Sequence, residues 1–107
     1  MGIVDRNVIT ENIISNNDLY GLIIVYSTGN HITNNNFINN KYQAYFNIQL
    51  SRCFSNKWNQ NYWSDITFPE DSKKVIQGIA YFVICFTLIL WYNVDWHPAQ
   101  EPYDIGV

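Results

Sequence analysis

The feature that most constrains this chain is a frame that occurs twice. Ile9-Thr10-Glu11-Asn12-Ile13-Ile14-Ser15-Asn16-Asn17 recurs as Ile32-Thr33-Asn34-Asn35-Asn36-Phe37-Ile38-Asn39-Asn40. Ile9 maps to Ile32, Asn12 to Asn35, Ile14 to Phe37 and Asn17 to Asn40, each at an offset of 23. Carried on, the same offset takes Gly21 to Ala44, Ile23 to Phe46 and Val25 to Ile48. A third, shortened turn is expected from Ala44 through Phe54, Asn56 and Trp58, with a register slip of about one position near Ser51-Arg52-Cys53. A fixed period of this length marks a stacked repeat, in which one unit cannot bury its apolar face alone.

Within each unit the apolar residues alternate, which is the signature of half-buried strands. On this register Ile23 and Val25 share one face, as do Phe46, Ile48 and Leu50. Helical spacing is absent over any long window. About one residue in seven is Asn, a residue that helices disfavour because its side chain competes for backbone groups. Units stacked about 4.8 Å apart would pair strand to strand. Ile9 and Ile32 would then share an interior column, and Asn12 and Asn35 would form a ladder. A buried amide can donate to one neighbour and accept from the other, so such a ladder satisfies its polar atoms. The expected fold is all-β: a right-handed parallel β-helix of two to three coils over residues 1–65. A linker at 66–74 and a C-terminal segment at 75–107 follow.

The C-terminal segment reads in two ways. Residues 75–92 carry no charge, follow Lys73 and Lys74, and close on Trp91 and Tyr92. That pattern meets the minimum for a membrane-spanning helix. The run is also rich in β-formers such as Tyr81-Phe82-Val83-Ile84, so it serves equally as a capping β segment over an open coil end, the preferred reading. A membrane is a partner only on the first reading. The net charge of −3 and the lack of a basic patch exclude nucleic acid as a partner. Met1-Gly2-Ile3-Val4-Asp5-Arg6 holds no apolar signal core. The chain enters a repeat at once, so an internal fragment of a longer reading frame is expected, with an exposed first coil at 2–19.

The repeat resembles a known group. Gly21-Leu22-Ile23-Ile24-Val25-Tyr26-Ser27, followed by Asn30-His31-Ile32-Thr33-Asn34-Asn35-Asn36-Phe37, is similar to the parallel β-helix repeat. That repeat is found in carbohydrate-binding and sugar-hydrolase β-helix domains and in periplasmic copper-binding proteins of the NosD type. Trp58-Asn59-Gln60-Asn61-Tyr62-Trp63-Ser64-Asp65 resembles the segment that often ends such arrays, and the tail from Asp95-Trp96-His97-Pro98 to Ile105 resembles a C-terminal signature of some of them. The resemblance covers residues 2–65 and implies a cell-envelope, secreted or periplasmic location.

Three functions follow as expectations. The first is a non-catalytic scaffold that contacts a glycan or an envelope protein. Exposed aromatic faces stack on sugar rings, and Tyr20, Tyr42, Trp58 and Trp63 are the candidates. Tyr20 and Tyr42 precede equivalent corners, at an offset of 22, and would stack on each other. The second is copper handling, implied by the resemblance. Imidazole and thiolate suit copper, and His31 and Cys53 share that offset of 22, near enough on adjacent coils if the third turn is short. No HxH, CxxC or Met-rich tract supports the pair, so no cofactor is expected from the residues alone. The third is a truncated polysaccharide lyase or hydrolase. Such enzymes need placed carboxylates, but Asp5, Asp18 and Asp65, with Arg6 and Arg52, show no defining spacing, and no catalytic residue is assigned.

Overall fold

A computed structural model of the chain describes residues 7–25, 29–49, 56–68, 71–82 and 87–105. Those residues form ten strands: β1 (Val8–Thr10), β2 (Ile13–Ser15), β3 (Tyr20–Val25), β4 (His31–Thr33), β5 (Asn36–Ile38), β6 (Tyr42–Gln49), β7 (Lys57–Asn59), β8 (Tyr62–Trp63), β9 (Lys74–Phe82) and β10 (Thr87–Asp95). They assemble into three sheets, ordered β1-β4-β7, β2-β5-β8 and β3-β6-β9-β10. Every pairing is parallel except β9 with β10. The chain visits the three sheets in turn, three times, and each circuit adds one strand to each sheet.

The corners explain why strands so short are stable. A left-handed residue stands immediately before Asn12, Asn17, Asn30, Asn35, Asn40 and Asn61: Glu11, Asn16, Asn34, Asn39 and Gln60 have φ between 55 and 58°, and Gly29 has φ 74°. This conformation turns the chain sharply at one residue, and Asn and Gly adopt it most readily. The next residue's amide then points into the stack.

The interior is built in columns. Ile9, Ile32 and Trp58 are in register, as are Ile14, Phe37 and Trp63. Phe37 and Trp63 stack with centroids 4.3 Å apart and planes 7° from parallel. In the third sheet the inward column is Ile24, Phe46 and Gly78. Gly78 is required there: a Cβ would lie 2.4 Å from the Phe46 carbonyl oxygen and 2.6 Å from its ring. Each fully buried large side chain contributes about 1.5–3 kcal/mol, so these columns dominate the stability of a chain with such short strands.

Three sequence expectations are corrected here. In the third sheet the offset is 22, not 23, so Leu22 pairs with Ala44 and Ile24 with Phe46. Ile23 and Val25 face outward, about half exposed. Asn40 and Tyr42 are one residue closer than Asn17 and Tyr20, and a one-residue shift in a strand exchanges its two faces. Second, the third circuit is longer, not shorter: Lys57 lies beside His31, an offset of 26. Third, the membrane-helix alternative for residues 75–92 gives way to the preferred β segment: residues 74–82 and 87–95 are an antiparallel pair of strands. No helix among the described residues is long and apolar enough to cross a membrane. The alternation of buried Ile76, Gly78 and Ala80 with exposed Val75 and Gln77 is strand periodicity.

The two ends differ. β1, β2 and β3 have a partner on one side only among the described residues. Ile9, Ile14 and Leu22 are only half-buried there, whereas their neighbours Ile32 and Phe37 are fully buried. At the other end β9 pairs with β6, and the last residues of β10 lie over the third circuit, with Asn93 and Asp95 turned inward and buried.

Candidate functional site

Three stacks of amides run through the corners. Asn12 donates its backbone N–H and its Nδ2 to Asn35 Oδ1, at 3.0 and 3.2 Å. Asn35 does the same to Asn61 Oδ1, at 3.1 and 3.0 Å. The other Nδ2 proton reaches back to the previous circuit, from Asn35 to the Ile9 carbonyl and from Asn61 to the Ile32 carbonyl, both at 2.8 Å. Asn17 and Asn40 repeat the pattern at the next corner, as do Asn30 and Asn56 at the third. Along each stack the backbone N–H and one Nδ2 proton point toward the C-terminal circuit, and Oδ1 accepts from the N-terminal one.

Such a stack needs an acceptor at its C-terminal end, and Asp95 supplies it. Asp95 is fully buried. Its Oδ2 accepts from Asn61 N at 3.0 Å, Asn61 Nδ2 at 3.2 Å and Trp63 Nε1 at 3.0 Å. Its Oδ1 accepts from Gln60 N and His97 N, both at 3.2 Å. A carboxylate has two oxygens and no proton to place, so it can take all five. Asn93 Oδ1 accepts the Trp58 indole N–H at 2.9 Å in the same way. At the Asn17–Asn40 stack the terminator is Gln43, whose Oε1 takes Asn40 Nδ2 at 2.8 Å and whose Nε2 donates to Ser64 Oγ at 3.0 Å.

The cap leaves a groove on the outside. One bank is β4 and β7, where His31 is in register with Lys57 and Thr33 with Asn59. The other is the end of β10 and the residues after it, with Tyr92, Trp96 and His97. The groove encloses about 630 Å³ and no carboxylate lines it among the described residues. Tyr92 is 53% exposed and Trp96 61% exposed. Lys73 Nζ stands 5.2 Å from the Trp96 ring centroid, a cation–π contact that restrains the indole. His97 Nδ1 is 3.3 Å from Asn59 Oδ1, so the tautomer protonated at Nδ1 donates to that amide.

Beyond the groove the tail is clasped to β5 and the corner residues. Tyr103 N donates to Asn36 Oδ1, and Asn36 Nδ2 donates to the Tyr103 carbonyl, both at 2.8 Å. The Tyr103 hydroxyl donates to the Gln60 carbonyl at 2.6 Å. Desolvation first, and the nearby Asp95 second, raise the pKa of that hydroxyl above its ordinary value. The pKa of Tyr45 is likewise raised, by desolvation and then by Tyr20.

The residues singled out from the sequence fall in separate places. Tyr20 and Tyr42 are in register, with centroids 5.1 Å apart, and Tyr45 lies 5.3 Å from Tyr20. Trp58 and Trp63 are buried, so neither offers a free face to a sugar; they fill the last circuit and bond to Asn93 and Asp95. His31 is exposed on the groove bank. Cys53 lies outside the described residues, and the residue in register with His31 is Lys57. No three His, Cys, Asp or Glu side chains cluster among the described residues. Sequence reasoning passed over Asn93, and it named Asp95 and Trp96 only within the tail signature and Tyr92 only as the close of the apolar run, without a site role. The signal for Asn93 and Asp95 was their spacing: two polar residues two apart, on one face of a strand that ends an apolar run.

No curated relative and no solved structure matches the chain. The family model described as periplasmic copper-binding protein (NosD) matches residues 3–70, well over half of the chain, from the first circuit through β8. With the parallel three-sheet stack, that match assigns the chain to the NosD family.

Proposed function

We propose that this chain is the capped end of a right-handed parallel β-helix that acts as a non-catalytic binding scaffold in the cell envelope. The outer groove between β7 and the C-terminal segment presents its contact surface to a glycan or an envelope protein. The right hand follows from the general rule that parallel crossovers of L-residues turn that way, and the envelope location from the periplasmic description of the family. The observation that carries the reading is the bonding of Asp95. The one carboxylate buried among the described residues is committed to five structural donors, so it is not available as an acid, base or nucleophile. The test is incubation of the full chain with polygalacturonate and alginate, with new reducing ends as the readout. None should form, and turnover would overturn the scaffold reading.

Copper handling is the second reading, favoured by the family description. The described residues fit it poorly. They bring two imidazoles, His31 and His97, to one groove, but Lys57 stands beside His31 and no third donor of the His, Cys, Asp or Glu type joins them. Copper prefers a fuller set of imidazole, thiolate or thioether ligands. Anaerobic copper titration discriminates: tight one-to-one binding lost in both His31→Ala and His97→Ala would favour this reading over the first.

A further inference from the structure

We propose that the occupant of the groove is a neutral pyranose oligosaccharide, with a sugar ring stacked on Trp96 and its hydroxyls bonded along the opposite bank. This rests on the scaffold reading and names its ligand. Two large rings, Tyr92 and Trp96, are left more than half exposed where the same segment of chain buries Asn93, Asp95 and Pro98. An exposed indole beside a polar wall is poor packing but a good platform, because the axial C–H groups of a pyranose are apolar and its equatorial hydroxyls are not. The facing bank supplies a hydroxyl from Thr33 and an amide from Asn59 on adjacent strands, about 4.8 Å apart. That spacing lets them address hydroxyls on one ring or on two successive rings. His31 and His97 add imidazole donors and acceptors at the two banks.

The charges narrow the ligand further. No carboxylate lines the groove among the described residues, so no anionic side chain there pairs with a cationic ligand. Two exposed ammoniums stand at it, Lys57 in the lining and Lys73 over the Trp96 ring, too few to hold a polyanion at physiological ionic strength, where an exposed pair is worth under about 1 kcal/mol. A few placed polar groups beside aromatic surface is the general make-up of a small-molecule site. The tyrosine column of Tyr20, Tyr42 and Tyr45 lies on the third sheet and does not line this groove. It therefore serves as the internal control.

The test uses the full chain with cellohexaose, chitohexaose and hexagalacturonate, read by amide chemical shifts and tryptophan fluorescence. Cellohexaose or chitohexaose should perturb Asn59, His97 and the Trp96 indole. Trp96→Ala should weaken binding on the order of tenfold, and Tyr20→Ala should leave it unchanged. Trp96 is exposed, so its variant keeps the fold, which far-UV circular dichroism checks. No shift with either neutral probe at millimolar concentration would overturn the proposal. So would binding that survives Trp96→Ala but not Tyr20→Ala, or binding confined to hexagalacturonate and abolished by salt. Tight copper binding at His31 and His97 without any sugar binding would overturn it as well. Cleavage of a bound oligosaccharide would support this ligand class while overturning the scaffold reading.

Discussion

Asp95→Asn changes one oxygen to an NH2 group and almost nothing in shape, so no cavity term enters. The new amide must aim its NH2 at one of two sets of donors. Placed at the Oδ2 position it meets Asn61 N, Asn61 Nδ2 and Trp63 Nε1; placed at Oδ1 it meets Gln60 N and His97 N. The second choice is less costly, and it still strands two donors and brings a third toward them. A stranded buried donor costs about 1–3 kcal/mol. Two at the low end, plus the loss of charge assistance at the remaining bonds, give about 2–4 kcal/mol, a large fraction of the roughly 5–15 kcal/mol expected of a whole domain. At about 4–8 °C per kcal/mol for a chain of this size, Tm should fall by on the order of 10–25 °C. Urea unfolding followed by tryptophan fluorescence suits the measurement, because Trp63 bonds to Asp95 directly. Asp65→Asn is the matched control: its carboxylate, half exposed, pairs with Lys74 at the surface, and such pairs are worth under about 1 kcal/mol. If the two substitutions cost the same, the account of Asp95 as an acceptor-only terminator is refuted.

Other perturbations probe other parts of the stack. Gly78→Ala should destabilise by about 1–3 kcal/mol through overpacking against Phe46; a neutral result in a denaturant titration would contradict the β6–β9 register. Asn35→Ala should cost more than Asn12→Ala, since Asn35 is buried between two circuits and Asn12 is exposed at the open one; comparable losses would show that the stack contributes little. In alkali, Tyr45 and Tyr103 favour their neutral forms when folded, so their contribution is complete below about pH 10 and is lost as pH rises through the raised folded values. The fall in urea stability above pH 10 should be shallower in Tyr103→Phe, and identical slopes would count against the tail clasp. The half-exposed Ile9, Ile14 and Leu22 at the open circuit should drive concentration-dependent association in sedimentation velocity, relieved by Leu22→Lys; a monomer at every concentration would contradict this.

The parts of the fold legible in the sequence are those where the period is rigid. Ile9 to Ile32 and Asn12 to Asn35 could be read because each corner holds the same count of residues. The third sheet misled because a single residue is missing between Asn40 and Tyr42, and alternation then converts a small error in count into a complete exchange of faces. The tryptophans misled for another reason. Aromatic content says that rings must be placed, not whether they stack on a ligand or on Phe37, and only the register with Ile32 and Phe37 puts Trp58 and Trp63 inside. Asp95 was hidden by distance: its donors Asn61 and Trp63 lie far upstream in the chain, beyond the reach of any local pattern. The groove was hidden likewise, since its banks meet only after β10 folds back over β7.

The corners make this architecture uneven in the variation it can absorb. Val25 and Asn47 pair at an offset of 22, whereas Asn30 and Asn56 are bonded at an offset of 26. The difference enters between Asn47 and Asn56 without displacing a single amide stack. At the Asn corners the same insertion would turn an inward column outward. Length drifts again between β8 and β9, where the offset grows from 26 to 32, so the junctions that lead into and out of the third sheet absorb insertions that the amide corners do not. Lineages descended from such a chain should differ by small insertions at these two junctions and by complete circuits, and an engineered loop or epitope is best placed at one of them.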